Sequence, residues 1–280
     1  MTVWAPQDLF PQLAGWVANL DDTFPGKPIK DSVYAFAQVE VGHLLALAVL
    51  AGTSLLMNLR LIGVGLTEEP PREMYRNLAG WTWAGLIVIL VTGLLMGASN
   101  GERLYTSEAF TAKMIGLAAA IVLTFAITLP ATKNDGRLGP VSRVLGVIGL
   151  AIFLFAIWVF LQAKLANPGL WHVITAGGLI VLYASRGLTR VVYLGVMLLM
   201  IACQQLITHI VYRPDDFEHL DPVNKGFAWA FVGVILLTAV VQSAGSGRGQ
   251  ENGPFVKGMA FAAILVWIMT AAAGRWLAFA

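Results

Sequence analysis

Charge is what this 280-residue chain has least of. Asp, Glu, Lys and Arg make up 12% of it, about half the share that a soluble domain carries. Hydrophobic residues reach 58%, and they recur in runs that no water-soluble fold could cover. The formal net charge of +2 is too balanced for a nucleic-acid partner, and neither a basic cluster nor a nucleic-acid motif is present. Cys203 is the one cysteine, which excludes an intrachain disulfide, a CxxC pair and covalent haem attachment through CxxCH. There is no Walker sequence, dinucleotide fingerprint or GxSxG elbow, so nothing points to nucleotide use or hydrolysis. Residues 1–26 contain no Lys or Arg and therefore lack the basic start of a signal peptide.

What is present is a series of long apolar runs. They predict an all-α integral membrane protein with about eight transmembrane helices, at 36–62, 78–98, 110–130, 143–165, 170–185, 191–212, 226–243 and 257–278. The fifth is short: 16 residues span only about 24 Å as a helix. Ahead of them, Leu9, Phe10, Leu13, Trp16, Val17 and Leu20 share one helical face, the pattern of a short helix lying in the membrane interface; the alternative is a mobile tail with a few apolar residues. A shift of 114 residues lays Gly139-Pro140 on Gly253-Pro254, Leu123-Thr124 on Leu237-Thr238 and Arg76 on Arg190. With a different offset, His43 meets His172. The reading is an N-terminal segment (1–34) followed by two four-helix pseudo-repeats, 35–167 and 168–280, related by an axis along the membrane normal.

Eight crossings put Arg60, Arg72, Arg76, Lys133, Arg137, Arg143, Arg186, Arg190, Arg248 and Lys257 on one side, and the remaining eight of the 18 cations on the other. The more basic side is expected to be cytoplasmic. In a bacterium the protein would then sit in the inner membrane with both termini in the periplasm.

That topology gathers the four histidines. His43, His172 and His209 fall near outer helix ends at similar depth, and His219 follows in an outer loop. An imidazole at that depth needs pairing, solvation or ligation. Two histidines on facing helices can hold a b-type haem, so His43 and His172 are the expected ligands and His209 the alternate. Glu40, one turn before His43, is placed to orient its ring or to serve in proton transfer. The bland alternative is histidines that meet a carbonyl or headgroup water and bind nothing. A third is a zinc or copper site in the outer loop from His209, Asp215, Asp216, Glu218 and His219.

Arg60, Arg186 and Arg190 lie at helix exits, where they would anchor among lipid phosphates or grip a quinone head group. Gly93 and Gly97 form a GxxxG pair that suits close helix packing. Most tryptophans, Trp81, Trp83, Trp158, Trp171, Trp229, Trp267 and Trp276 among them, map near the expected interfaces.

Val41-Gly42-His43-Leu44-Leu45, running on to Asn58-Leu59-Arg60-Leu61-Ile62-Gly63, resembles a group of uncharacterised bacterial membrane proteins with a helix reading H-L-x…D-L-R-L-x-G. Glu108-Ala109-Phe110-Thr111-Ala112-Lys113-Met114 and the closing Gly274-Arg275-Trp276-Leu277-Ala278-Phe279 are similar to that group as well. Asn58 stands where the group has aspartate. More distantly the chain resembles the copper-resistance-D and four-helix cytochrome b families, which implies haem binding or copper handling through histidines near helix ends, His43 first.

The functional expectation is a membrane-embedded haem b protein that passes electrons between a membrane quinol and a periplasmic protein partner. Its rivals are a non-redox anchor or scaffold in a larger complex and, third, a transporter of a small solute or metal ion.

Overall fold

The computed structural model describes residues 5–20, 22–162, 166–211, 217–243 and 252–277. Among these residues eight long helices follow one another: α1 (Val33–Ile62), α2 (Pro71–Ser99), α3 (Glu108–Leu123, continued to Lys133), α4 (Pro140–Gln162), α5 (Ala166–Ala184), α6 (Gly187–Leu206), α7 (Phe217–Ser243) and α8 (Pro254–Trp276). No strand occurs among the described residues. Among them, seven helices are long and apolar enough to cross a membrane, and the apolar stretch Leu170–Ala184 of α5 is shorter. The chain is an all-α polytopic membrane protein.

The helices outrun the apolar runs that announce them. α2 begins at Pro71 and α7 at Phe217, well before the runs at 78 and 226. Hydropathy marks only the part of a helix in hydrocarbon, while backbone hydrogen bonding continues through polar turns beyond it. Local chemistry sets the ends. The Ser32 hydroxyl caps α1 by accepting from the Ala35 amide at 3.2 Å. Gly63 closes it with φ of 87°, its amide and that of Val64 returning to the Leu59 carbonyl. In α3 a π turn over Thr124–Thr128 precedes Pro130. The wider turn accommodates a ring that has no N–H and would clash with the carbonyl one turn back.

Packing centres on the last helix. α8 lies against α1, α3 and α5 and is the most buried of the spans. Alanine is the commonest of its inward residues, with Ala260, Ala263 and Ala273 among them, and small side chains let neighbouring backbones close in. α6 is the opposite case, with only Tyr193 buried and Val191, Leu198 and Leu199 exposed. α1 pairs with α2 and α3 with α4, while α8, from the second predicted half, joins them across the boundary at 167/168. At Gly85 a Cβ would come within 2.9 Å of Leu50 Cβ, so this glycine sets the α1–α2 approach.

Polar side chains are buried where these helices meet. Asn58 Nδ2 donates to Ser54 Oγ at 3.1 Å, and Asn58 Oδ1 accepts from Thr128 Oγ1 of the π turn at 2.9 Å. Thr82 Oγ1 meets Thr53 Oγ1 at 2.9 Å, joining α2 to α1. Trp267, grouped by sequence with the interfacial tryptophans, is buried and donates through Nε1 to Thr124 Oγ1 at 3.0 Å. With α8 at the centre, the indole N–H needs a partner inside the bundle.

The N-terminal segment is several short pieces rather than one helix: Pro6–Leu9, Pro11–Leu13 and Ala14–Ala18. Pro11 interrupts the run. The segment docks on the short helix Gly101–Tyr105 after α2, where Tyr105 Oη donates to the Phe10 carbonyl at 2.7 Å. Val17 is buried there, while Phe10 and Trp16 stay exposed.

Candidate functional site

Topology brings the start of α1, the end of α2, the start of α3 and the end of α8 to one end of the bundle. His43 stands there on α1, half-buried. Its Nδ1 lies 2.9 Å from Thr92 Oγ1 of α2. The Thr92 hydroxyl has one proton, and its 2.7 Å bond to the Val88 carbonyl uses it. The Nδ1–H of His43 is therefore the donor to Thr92, and Nε2 of the neutral ring keeps an open lone pair. Beside the ring lies Gly93, where a Cβ would stand 3.4 Å from His43 Cε1. Half of the expected GxxxG pair thus makes room for an imidazole.

Lys113 of α3 is the charged element of the site, half-buried and close enough to His43 to act on it electrostatically. Its side chain lies along Gly274 of α8, where a Cβ would be 3.4 Å from Cε and 3.6 Å from Nζ. Two polar side chains, each seated against a glycine of a neighbouring helix, thus lie within electrostatic reach of one another inside an apolar bundle. A lone-pair acceptor and an ammonium donor at such a place can hold a polar head group that both accepts and donates hydrogen bonds.

The other expected site residues fall elsewhere. Glu40 is exposed; the partner that orients His43 is Thr92, on another helix. His172 is exposed on α5, next to Trp171, whose ring packs edge-on against Phe231 of α7 at 5.6 Å. α8 packs against both α1 and α5 and so separates His43 from the helix that carries His172. His209, in the π turn that continues α6 over Ile207–Val211, is exposed with Nδ1 2.9 Å from Thr208 Oγ1. His219 is exposed near the start of α7. Asp215, Asp216 and the Glu218 side chain lie outside the described residues. Among the described residues no group of three or more His, Cys, Asp or Glu could hold a metal ion.

Arg60 is not the lipid anchor expected at the end of α1. It is buried, and its Nε donates to the Glu69 carbonyl at 2.6 Å, because the chain folds back over it after Gly63. Arg186 and Arg190 are exposed, as expected of helix-end cations, and Arg190 Nη2 donates to the Tyr183 carbonyl at 2.8 Å. The site roles of Lys113, Thr92 and Gly274 emerge only from the fold. The sequence signal for Lys113 is a cation inside an apolar run, which is a functional candidate in its own right.

Residues 21–171 match the profile of a family of unknown function, DUF6644. The match takes in α1 to α4, and with them His43, Thr92 and Lys113. Comparison with curated proteins and with solved structures finds no match.

Proposed function

We infer, for a chain that belongs to the DUF6644 family, a role in membrane electron transfer in which His43 and Lys113 bind the head group of a quinone. The observation that carries this reading is the hydrogen-bond relay from His43 Nδ1 through Thr92 to Val88, which leaves the Nε2 lone pair open in the neighbourhood of a half-buried ammonium. A quinol hydroxyl would donate to His43 Nε2, and Lys113 would donate to a quinone oxygen. Oxidation of one quinol releases two electrons and two protons. His43 Nε2 takes one proton, water at the membrane interface takes the other, and both electrons go to the redox centre of a protein partner at the same membrane face. In this reading the protein resides in a bacterial inner membrane with both termini in the periplasm, so His43 lies near the side where protons are released.

Haem b is the second reading, and the same open Nε2 favours it, since a neutral imidazole whose other nitrogen is held by a hydrogen bond is a good axial ligand. His43 fits one axial position. The expected partners for the opposite one, His172 on α5 and His209 in the π turn after α6, are exposed where His43 is half-buried. The resemblance to the copper-resistance-D and four-helix cytochrome b families rests on the His43 motif, which is compatible with either group.

One preparation separates the two readings. Full-length protein is purified into lipid nanodiscs, scanned in the visible before and after dithionite, and extracted for quinone. Co-extracted quinone that falls about tenfold in His43→Ala and in Lys113→Met, without a Soret band, is the expected result. A Soret band lost in His43→Ala would transfer the conclusion to haem. A featureless spectrum with no quinone bound or taken up overturns both.

A further inference from the structure

At the opposite end of the bundle, Arg72, Tyr75 and Arg76 of α2, Lys133 at the end of α3, and the loop residues Asn134, Asp135 and Arg137 line an open cleft of about 570 Å³. Four cations face one carboxylate. The wall is built rather than loose. Asp135 Oδ1 accepts from the Arg72 backbone amide at 3.3 Å, which ties the loop to the start of α2. Asp135 and Gly136 both take positive φ, 49° and 81°, and Gly136 sits against the Asn252 side chain with no room for a Cβ. Asn252 in turn donates to the Leu61 carbonyl at 2.8 Å. The loop is thereby fixed to the ends of α1 and α8. Lys133 lies over the Tyr75 ring, 5.8 Å from its centroid.

Among the described residues little of this charge is spent internally. Arg76 has an ion pair with Glu73 at 3.0 Å, but both side chains are largely exposed, and such pairs are weak. The single acid of the lining, Asp135, faces a backbone amide. The excess of positive charge sits where two membrane-spanning helices, Pro71–Ser99 and Glu108–Lys133, leave the apolar zone. That level holds the headgroups of a bilayer. Toward the hydrocarbon, the partly buried Tyr75, Leu78, Ala79 and Phe125 pack inward on Met57, Met74 and Leu129 and leave their outer sides as an apolar column, which exposed Trp83 extends with its ring 4.3 Å from that of Phe125.

We propose that this cleft binds the phosphate of an anionic phospholipid whose acyl chains lie along the Tyr75–Trp83 face of α2. Arginine guanidinium groups match phosphate oxygens bidentately, and the column above supplies the apolar contact that free phosphate cannot use. The inference is independent of the quinone reading, since the two sites are at opposite ends of the bundle.

The test uses the full chain in detergent, titrated with phosphatidylglycerol or phosphatidylcholine, with retained lipid counted by native mass spectrometry and thermal unfolding followed in parallel. Wild type is expected to retain phosphatidylglycerol preferentially and to gain thermal stability from it. The doubly neutralised variant Lys133→Gln/Arg137→Gln should lose at least tenfold of that preference, each cation near an anionic surface being worth about a factor of five. Lys27→Gln, a charge removed at the other end, should keep it, and Lys133→Arg/Arg137→Lys should keep most of it. Equal retention of the two lipids by wild type, or a preference that survives double neutralisation, overturns the proposal. Stabilisation by millimolar inorganic phosphate without any lipid preference overturns the lipid assignment and leaves a free phosphate as the occupant.

Discussion

His43 Nδ1 and Thr92 Oγ1 meet at 2.9 Å across the α1–α2 interface, and that one contact decides which ring nitrogen of the histidine is available for chemistry. Since the threonine proton is committed to the Val88 carbonyl, the relationship has a direction, and the direction can be tested.

Thr92→Val keeps the shape and removes the acceptor. The His43 ring should then sample both tautomers, visible as a change in its ¹⁵N shifts in histidine-labelled protein. Quinone affinity should fall several-fold while global stability drops by only about 1 kcal/mol, the net worth of one such hydrogen bond. Unchanged ¹⁵N shifts would contradict the relay.

Gly85→Ala should be costly and Gly80→Ala should not. At Gly85 the added methyl meets Leu50 Cβ at 2.9 Å and its backbone nitrogen at 3.0 Å, whereas nothing lies within 4 Å of a Cβ at Gly80. Overpacking of this kind costs about 1–3 kcal/mol, read as a lower unfolding midpoint in detergent for the first variant. The second should match wild type or exceed it slightly, because alanine is the better helix former.

Asn58 and Thr128 should prove energetically coupled. A double-mutant cycle with Asn58→Leu and Thr128→Val is expected to return about 0.6–2 kcal/mol, the range for hydrogen bonds between membrane helices. Each single change should cost more than its share, since it strands a buried polar partner. A coupling of zero would mean that the α1–α3 contact is held by packing alone.

Gly136→Ala should loosen the loop that joins α3 to α4. The residue has φ of 81° and lies against Asn252, so the methyl is refused both by the backbone and by its neighbour. Faster tryptic cleavage at Arg137 in the folded protein is the expected readout. Asn252→Ala should relieve part of the effect by opening the space.

Much of this architecture is legible in the chain. Long runs with few charges require membrane helices, and the order of those helices follows, including the short apolar fifth segment. His43 stands out as an ionisable group at membrane depth, and Asn58 stands out in the motif that carries the resemblance. The misleading step is to suppose that equivalent sequence positions face one another. His43 and His172 align in a repeat, yet one is half-buried among α1, α2 and α3 and the other is exposed on α5. Lys113 reads along the chain only as a cation near the start of an apolar run, because composition does not show which neighbour a side chain lies against.

The sequence by itself determined that this protein lives in a bilayer, because backbone groups without water must be satisfied within helices and apolar side chains without a soluble core must face lipid. It did not determine which helix is central. Lipid and protein interior are equally apolar, so hydropathy cannot rank α8 above α6. Only the tertiary structure did so, by bringing the alanine-rich face of α8 against α1 and α3. That packing set Lys113 against Gly274, the pairing of α1 with α2 set His43 against Gly93, and together they made one site of residues that lie far apart in the chain.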